Sequence, residues 1–529
     1  IAATVGWTGR YENMNNIRVS TNGGLVTENW FDLNASRYTP SSTLQRMELL
    51  KTGYMGTLSL GWDNYLFLEL TGRQERSSTL KDQSFFYPSA NLSFLFTQAF
   101  HMPSWWNYGK LRLSYGIVGN APETYTANIV YEQGSDNGFT WNTIPSSWGN
   151  ADIRPEKKYE YEIGLESKFL NNRLGIDVSY YNNRVKDQIL STPQPSTSGV
   201  KNVLMNVGEV ANHGWDISIS ATPILTRDFR WDLTANYGVY KNKVVKLADG
   251  VPYLEILNSG GSGIKIQAVE GQPMGDIYAQ VPQVNENGEY LVSDKGLYLN
   301  QTELQKVGNI NPAGVGGLFN SFSYKNVFLD FSIDFRIGGD VINEMNQYAT
   351  AVGLTPESLK YRDTEHGGLS YYYPGDNNSS GIPVQVDPST GVGPNGEIIY
   401  HDGIILPGVV ASTGERNTRI IPAGYYYNTT YNWGTEAEQL TYRHSVFDNS
   451  YVKLRELTIG YQFPEKMISK LGLGRLSVSV FGRNLFYFYK ALKNYDAESS
   501  VGTSWANQAT VGSSTTATRS FGVSLRASF

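Results

Sequence analysis

The sequence feature that most constrains this chain is a two-residue alternation of apolar and polar side chains, which is most regular at its end. In the closing stretch R-S-F-G-V-S-L-R-A-S-F, which ends at Phe529, every second residue is apolar and the residues between are Ser, Gly or Arg. Such alternation is typical of a β-strand with one apolar and one polar face. About ten residues also suffice for a tilted strand to cross a bilayer. A soluble β-sandwich can alternate in the same way, so the pattern of the remaining strands must distinguish a soluble sheet from one that crosses a bilayer.

The same alternation recurs along the chain and predicts fourteen strands, several of them joined by tight-turn signals such as Asp63-Asn64. The strand at 326–337 is the most regular, with Phe331 on its apolar phase and Asp330 on its polar phase. A slip in the alternation near Arg455 predicts a β-bulge. The predicted strands are 1–10, 49–62, 65–74, 85–97, 109–118, 157–169, 173–186, 212–222, 228–243, 316–324, 326–337, 450–463, 475–488 and 518–529.

The connections between these strands alternate between short and long. A soluble sandwich has no reason to keep every long connection at one end, whereas outer-membrane barrels have short periplasmic turns and long extracellular loops. We therefore predict an all-β fold, a transmembrane antiparallel β-barrel whose apolar phase faces lipid. The predicted extracellular loops are 11–46, 119–156, 187–211, 245–314, 338–449 and 489–517.

The amino-acid composition excludes several other classes of protein. The chain is 40% hydrophobic with a mean hydropathy of −0.35, and no apolar run approaches the roughly 18 residues of a transmembrane helix. A net charge of −6 argues against a nucleic-acid partner, and the absence of cysteine excludes disulfide and thiolate chemistry. Because Ile1 begins inside a strand-like run without a signal peptide, we expect the chain to be a fragment of a longer polypeptide.

No residue pattern predicts catalysis or a cofactor. The five histidines lack zinc-ligand spacing, and the glycine-rich stretch 260–265 lacks the Gly-Lys-Ser/Thr ending of a phosphate loop. Asp387 to Glu397 and Asp376 to Asn378 have oxygen ligands suited to calcium, but ordinary turn chemistry is the favoured interpretation. The wall carboxylates Asp330 and Asp334 are interpreted as a hydrated barrel wall, with Arg336 as their charge balance.

Aromatic side chains in the long loops are the candidate substrate-binding residues. Their flat faces can stack on sugar rings or bind peptides, but loop packing and an interfacial aromatic girdle explain them equally well. The candidates are Trp141, Trp148, Tyr371, Tyr372, Tyr373, Tyr425, Tyr426 and Tyr427.

Several motifs resemble those of the SusC-like TonB-dependent transporters of the Bacteroidetes outer membrane. The strongest are Y-V-K-L-R-E-L-T-I-G-Y-Q-F-P at 451–464, L-S-V-S-V-F-G-R-N-L-F at 476–486 and N-Y-D-A-E at 494–498. Earlier matches are N-I-N-P at 309–312 and F-R-I-G-G-D at 335–340. The resemblance extends over essentially the whole chain.

The resemblance implies a barrel of about 22 strands with an N-terminal plug, of which this chain would supply the C-terminal fourteen strands without the plug. It also implies TonB-dependent uptake of a bulky nutrient, an oligosaccharide or less often a peptide, across the outer membrane of a Gram-negative bacterium. The implied partners are a SusD-like surface lipoprotein and TonB, which would act through the upstream region. Two alternatives stay open at this point: a passive porin or structural barrel, and an outer-membrane enzyme, which would need a catalytic cluster on the loops.

Overall fold

The computed structural model describes residues 1–81, 84–136, 139–259, 263–375, 381–432, 441–512 and 517–528. Fourteen long strands form the main sheet, in which they follow one another in chain order. Numbered along the chain with the shorter strands, they are β1 (Ala2–Leu25), β2 (Ser36–Trp62), β3 (Leu66–Ser77), β4 (Ser84–Phe94), β5 (Trp106–Asn120), β9 (Glu156–Phe169), β10 (Leu174–Lys186), β13 (Glu209–Leu225), β14 (Phe229–Lys246), β20 (Gly314–Tyr324), β21 (Val327–Ile337), β29 (Tyr451–Gln462), β30 (Arg475–Lys490) and β31 (Ser520–Ser528).

The fourteen predicted strands are all confirmed, as is the all-β class. Asp63 and Asn64 have positive φ of 48° and 56°, as the tight turn between β2 and β3 requires. The predicted bulge is also present: Ser332 pairs with Glu456 and Ile333 with Leu454, so that Arg455 has no partner in β21. Phe529 lies outside the described residues.

The predicted loop at 11–46 is wrong for most of its length. β1 and β2 form one long antiparallel hairpin that remains paired as far as Ser20 and Ser41, and becomes irregular only beyond them. The physical reason is that ladder hydrogen bonds join backbone groups, so a polar strand is stable where both of its faces are exposed. Ile17 and Val19 preserve the alternation within the Asn-rich stretch.

The chain divides into two compact units, residues 1–217 with 241–252 and residues 218–240 with 253–529. Short elements occupy the connections of both units. In the first unit they are α1 (Phe96–Ala99), β6 (Glu132–Asp136), β7 (Phe139–Thr143), β8 (Ser147–Trp148), β11 (Ile189–Pro193) and β12 (Asn202–Asn206). In the second unit they are β15 (Tyr253–Ser259), β16 (Ile264–Val269), β17 (Asp276–Ala279), β18 (Leu291–Val292), β19 (Gln305–Asn309), β22 (Asp340–Ile342), α2 (Glu344–Ala351), β23 (Leu369–Tyr372), β24 (Val384–Gln385), β25 (Tyr400–Ile404), β26 (Val409–Val410), β27 (Ile421–Pro422), α3 (Ala423–Tyr431), β28 (Val446–Asp448) and α4 (Glu465–Ile468).

The two faces of the long strands differ in chemistry. Polar-phase side chains pair across strands: in the first unit Arg112 of β5 approaches Asp177 of β10 at 2.7 Å and Glu166 of β9 at 3.6 Å. Apolar-phase side chains are exposed, as on β31, where Val523 is 72% and Leu525 67% exposed. A soluble sheet would cover such a face, whereas lipid can cover it here.

The buried clusters are formed mainly by connecting segments. In the second unit Ile264, Ile266 and Ile277 pack with Ile342. In the first unit Leu80, Phe85 and Ile153 form a separate cluster. No helix in the described part of the chain is both long and apolar enough to cross a membrane.

Candidate ligand-binding loops

Two of the three consecutive candidate tyrosines form a packed core. Tyr371 on β23 is only 1% exposed: its ring stacks on Tyr400 of β25 at 5.4 Å and meets Tyr373 edge-on at 5.5 Å. Its hydroxyl donates to Asp402 Oδ1 at 3.1 Å. Burial, followed by the nearby Asp402 charge, raises the pKa of Tyr371 above its ordinary value. Tyr371 and Tyr373 thus hold β23 against β25, and Tyr372 between them is partly exposed.

The candidate tyrosines of α3 have a similar packing role. The Tyr427 side chain is buried, and its hydroxyl donates to the Glu357 carbonyl oxygen at 2.8 Å. Burial, with the nearby Tyr431 as a lesser cause, raises the pKa of Tyr427 to about 12. The Tyr426 ring meets the Tyr427 ring edge-on at 5.1 Å, and burial also raises the pKa of Tyr426. These contacts fix α3 and leave Tyr425 partly exposed on it.

Tyr373 and Tyr425 meet at a cavity of about 390 Å³ in the second unit. Lys295 and Arg419 add cationic groups to its lining, and Ile420 is among its apolar members. Aromatic faces beside cations suit a ligand with flat rings and polar or anionic substituents. This loop cavity, rather than the row of consecutive tyrosines, is where the sequence candidates come together.

The tryptophans of the first unit occupy different environments. Trp141 lies on β7 opposite Gly134 of β6, whose missing side chain leaves room for the indole ring, and it is 47% exposed. Trp148 is partly buried and packs edge-on against Tyr131 at 5.8 Å. Of the two, Trp141 has the ring face that a ligand can reach.

The candidate calcium ligands behave as turn residues. Glu397 is buried, and its carboxylate accepts hydrogen bonds from the backbone amides of Gly375 at 3.2 Å and Asn395 at 2.8 Å. The bond from the Asn395 amide is the main reason that the pKa of Glu397 falls to about 2. Asp387 likewise accepts from Ser389. No group of three metal-ligating side chains occurs among the described residues, which exclude the stretches 260–262 and 376–378.

The prediction that Arg336 balances the charges of Asp330 and Asp334 is wrong. Asp334 pairs with Arg455 at 2.6 Å, and Asp330 accepts from Ser321 Oγ at 2.6 Å, so neither carboxylate is balanced by Arg336. Arg336 instead lines a second cavity of the same unit, of about 500 Å³, together with Asn449 and Trp505. Arg336 belongs to the F-R-I-G-G-D motif at 335–340, but this motif gave no indication of a cavity.

Comparison with known protein families identifies the barrel. The model of the family "TonB dependent receptor-like, beta-barrel" matches residues 3–269, half of the chain. TonB-dependent receptor P3 of Formosa agariphila is 24% identical over 494 residues, which cover 85% of this chain and 42% of that receptor. TonB-dependent receptor SusC of Bacteroides thetaiotaomicron is 30% identical over 247 residues, 43% of this chain and 24% of SusC. The chain thus spans less than half the length of the curated relatives it matches.

The fold has a counterpart among solved structures. The RagAB peptide transporter superimposes with a TM-score of 0.64 over 92% of this chain and 49% of that chain, at 18% sequence identity. At this identity the likeness concerns the fold alone, and it agrees with the match to the family model. The chain belongs to the TonB-dependent receptor-like β-barrel family and is SusC-like within it.

Proposed function

We propose that the protein to which this chain belongs takes up a bulky nutrient across the outer membrane of a Gram-negative bacterium of the Bacteroidetes in a TonB-dependent manner. The single observation that carries the proposal is the match to the receptor family over half of the chain, with SusC among the relatives. The charged strand face and the exposed apolar face described above suit a wall between lumen and lipid. The family is one of receptors rather than enzymes.

The nutrient is an oligosaccharide or, by analogy with the RagAB peptide transporter, a peptide. A barrel this wide leaves its lumen too open for the wall alone to hold a small molecule, so binding falls to the loops, a plug and a capping partner. In this chain the loop cavity at Tyr373 and Tyr425, the exposed Trp141 and the partly exposed Tyr372 are the groups best placed to contribute. The partners are a SusD-like surface lipoprotein at the outer mouth and TonB at the periplasmic side.

The test is uptake by cells that express the full-length receptor with its neighbouring lipoprotein. Growth on the nutrient is expected to stop when TonB is removed or when a protonophore collapses the proton gradient. A passive porin is the alternative function, and it would sustain uptake under both conditions. Uptake that persists without TonB would therefore overturn the proposal.

A further inference from the structure

The second cavity of residues 218–240 and 253–529 has the size and lining of a small-molecule site. Its volume of about 500 Å³ falls within the roughly 300–1,000 Å³ of ligand pockets. The ends of β21 and β29 form one side of it, through Arg336 and Tyr451, and the segment 497–509 forms another. Polar and aromatic side chains from distant parts of the sequence therefore converge on one space.

Arg336 provides this cavity with a cation that has no carboxylate partner among the described residues. Its Nε and Nη2 groups donate to the carbonyl oxygens of Gly338 at 3.2 Å and Ile310 at 3.0 Å, which fix the guanidinium plane. Asp340 and Asp448 are near enough to attract the Arg336 charge, but neither forms an ion pair with it. Asp340 accepts the Asn309 amide at 2.9 Å, and Asp448 accepts the Ser450 amide at 2.9 Å. A partly buried charge held in this way favours an anion in the adjoining space.

Glu498, the carboxylate in the lining, is already neutralised. Lys453 Nζ lies 2.5 Å from its Oε2 atom, and Arg455 Nη2 lies 2.6 Å from its Oε1 atom. Arg455 also pairs with Asp334. Two cations thus face two carboxylates in this network, and Arg336 lies outside it.

Asn449 provides the second independent sign of a ligand. It lines the cavity and is 5% exposed, and its Nδ2 atom donates to the Ala497 carbonyl oxygen at 2.9 Å. Its Oδ1 atom has no hydrogen-bond partner within the part of the chain that the structure describes. Buried acceptors are nearly always paired, so a ligand at this place is expected to bring an O–H or N–H donor.

Trp505 adds an aromatic surface to the cavity. One edge of its indole ring packs over Gly275, whose φ of +93° suits glycine, and where an added Cβ would lie 2.9 Å from the ring. The side chain is 37% exposed, so part of the ring remains uncovered. Uncovered indole faces stack well on the apolar faces of ring-shaped ligands.

We propose that this cavity binds an acidic sugar residue of an oligosaccharide, with its carboxylate on Arg336, a hydroxyl donating to Asn449 and its ring against Trp505. A uronic acid residue combines these three features in one compact group. The biological meaning of the site rests on the proposed uptake function, but the binding is measured directly and without transport. The carboxyl terminus of a peptide is the competing ligand, and the test separates the two.

The experiment uses the purified full-length receptor with its lipoprotein and isothermal titration calorimetry. The probes are an oligogalacturonate, the same oligosaccharide as its methyl ester, and an acidic tetrapeptide of similar size. The free acid is expected to bind roughly 10–100-fold more tightly than the ester, because esterification removes the charge that Arg336 recognises. Equal binding of acid and ester, or tighter binding of the peptide, would overturn the proposal.

Matched variants then assign the effect to the cavity. Arg336→Gln is expected to abolish the difference between acid and ester, and Trp505→Ala to weaken both probes. Arg483→Gln, at an exposed arginine that pairs with Glu456 on the neighbouring strand, serves as the control and should change neither. If Arg336→Gln fails to fold, the comparison of acid and ester binding to the unchanged protein still tests the proposal. Acid-selective binding by a receptor whose uptake does not need TonB would refute the proposed function while leaving this site in place.

Discussion

At the residue scale, the structure of the loops depends on a few buried polar side chains that have hydrogen-bond partners. The buried Tyr371 hydroxyl donates to Asp402 on β25. The buried Glu397 carboxylate accepts from the Asn395 amide of its own turn and from the Gly375 amide of a neighbouring segment. Removing Asp402 would leave the buried Tyr371 hydroxyl unpaired, which typically costs about 1–3 kcal/mol. Such groups are therefore the positions where a single substitution changes the loops most.

The first prediction concerns Glu397→Gln. The folded-state pKa of Glu397 is about 2, below its ordinary 4.5, so its carboxylate contributes stability that is fully present above pH 4.5 and is lost as the pH falls towards 2. The substitution is expected to increase proteolysis of the loop at neutral pH and to remove this acid dependence. Glu286→Gln, at an exposed position, is the control, and an equal change in both variants would contradict the role of Glu397.

At the element scale, each long strand has apolar side chains on one face and polar side chains on the other. Neighbouring strands pair so that their apolar side chains lie on the same face of the sheet. Ile459, Val480 and Val523 lie side by side on β29, β30 and β31, and each is more than half exposed. The adjacent Ser479 belongs to the opposite face of β30. A ladder of this kind is stable in lipid and unfavourable in water.

The second prediction compares Val480→Arg with Ser479→Arg. If the apolar ladder faces lipid near the midplane, the first substitution should destabilise the folded receptor by about 2–4 kcal/mol and the second far less. Unfolding by urea in liposomes measures the difference. Similar effects of the two substitutions would refute the assignment of faces.

The third prediction concerns the contact of α3 with His444. The His444 ring stacks on Tyr431 at 4.3 Å, and burial lowers the pKa of His444 to about 4. Because the unfolded state then binds more protons, the stability of this contact is fully present above the ordinary pKa of about 6.5 and declines as the pH falls towards 4. Hydrogen exchange of α3 measured against pH should show this decline, and His444→Phe should remove it. His366→Gln, at an exposed histidine paired with Asp363, should retain it.

At the scale of the whole molecule, apolar surface is used in two ways. The strands expose it, and the connecting segments bury it. The region 338–449 contains β22 to β28 with α2 and α3, and its described part has its own buried clusters, such as Tyr371 with Ile420. The high aromatic content of this region, which is unsuited to a solvated linker, is the physical reason for its ordered structure.

The fourth prediction concerns the role of this region. Deleting residues 366–430 from the full-length receptor should abolish co-purification of the lipoprotein, or uptake, while leaving the barrel folded, because long ordered loops on a rigid scaffold commonly carry binding. Heat-modifiable migration of the variant would establish that the barrel still folds. Unchanged co-purification together with unchanged growth on the nutrient would show that the region is not needed for either.

The sequence by itself determined the strands, their order and the bulge at Arg455, because alternation is a local property set by the geometry of the extended chain. Backbone pairing can continue through a polar segment, which is why the hairpin of β1 and β2 extended into the predicted loop at 11–46. Only the tertiary structure decided which loop aromatics are packed and which are exposed. It also brought Arg336, Asn449 and Trp505 to one cavity, since Asn449 is fixed by Ala497, 48 residues away, and Arg336 by Ile310, 26 residues away. Contacts between residues so far apart follow from three-dimensional packing and leave no periodic trace in the sequence.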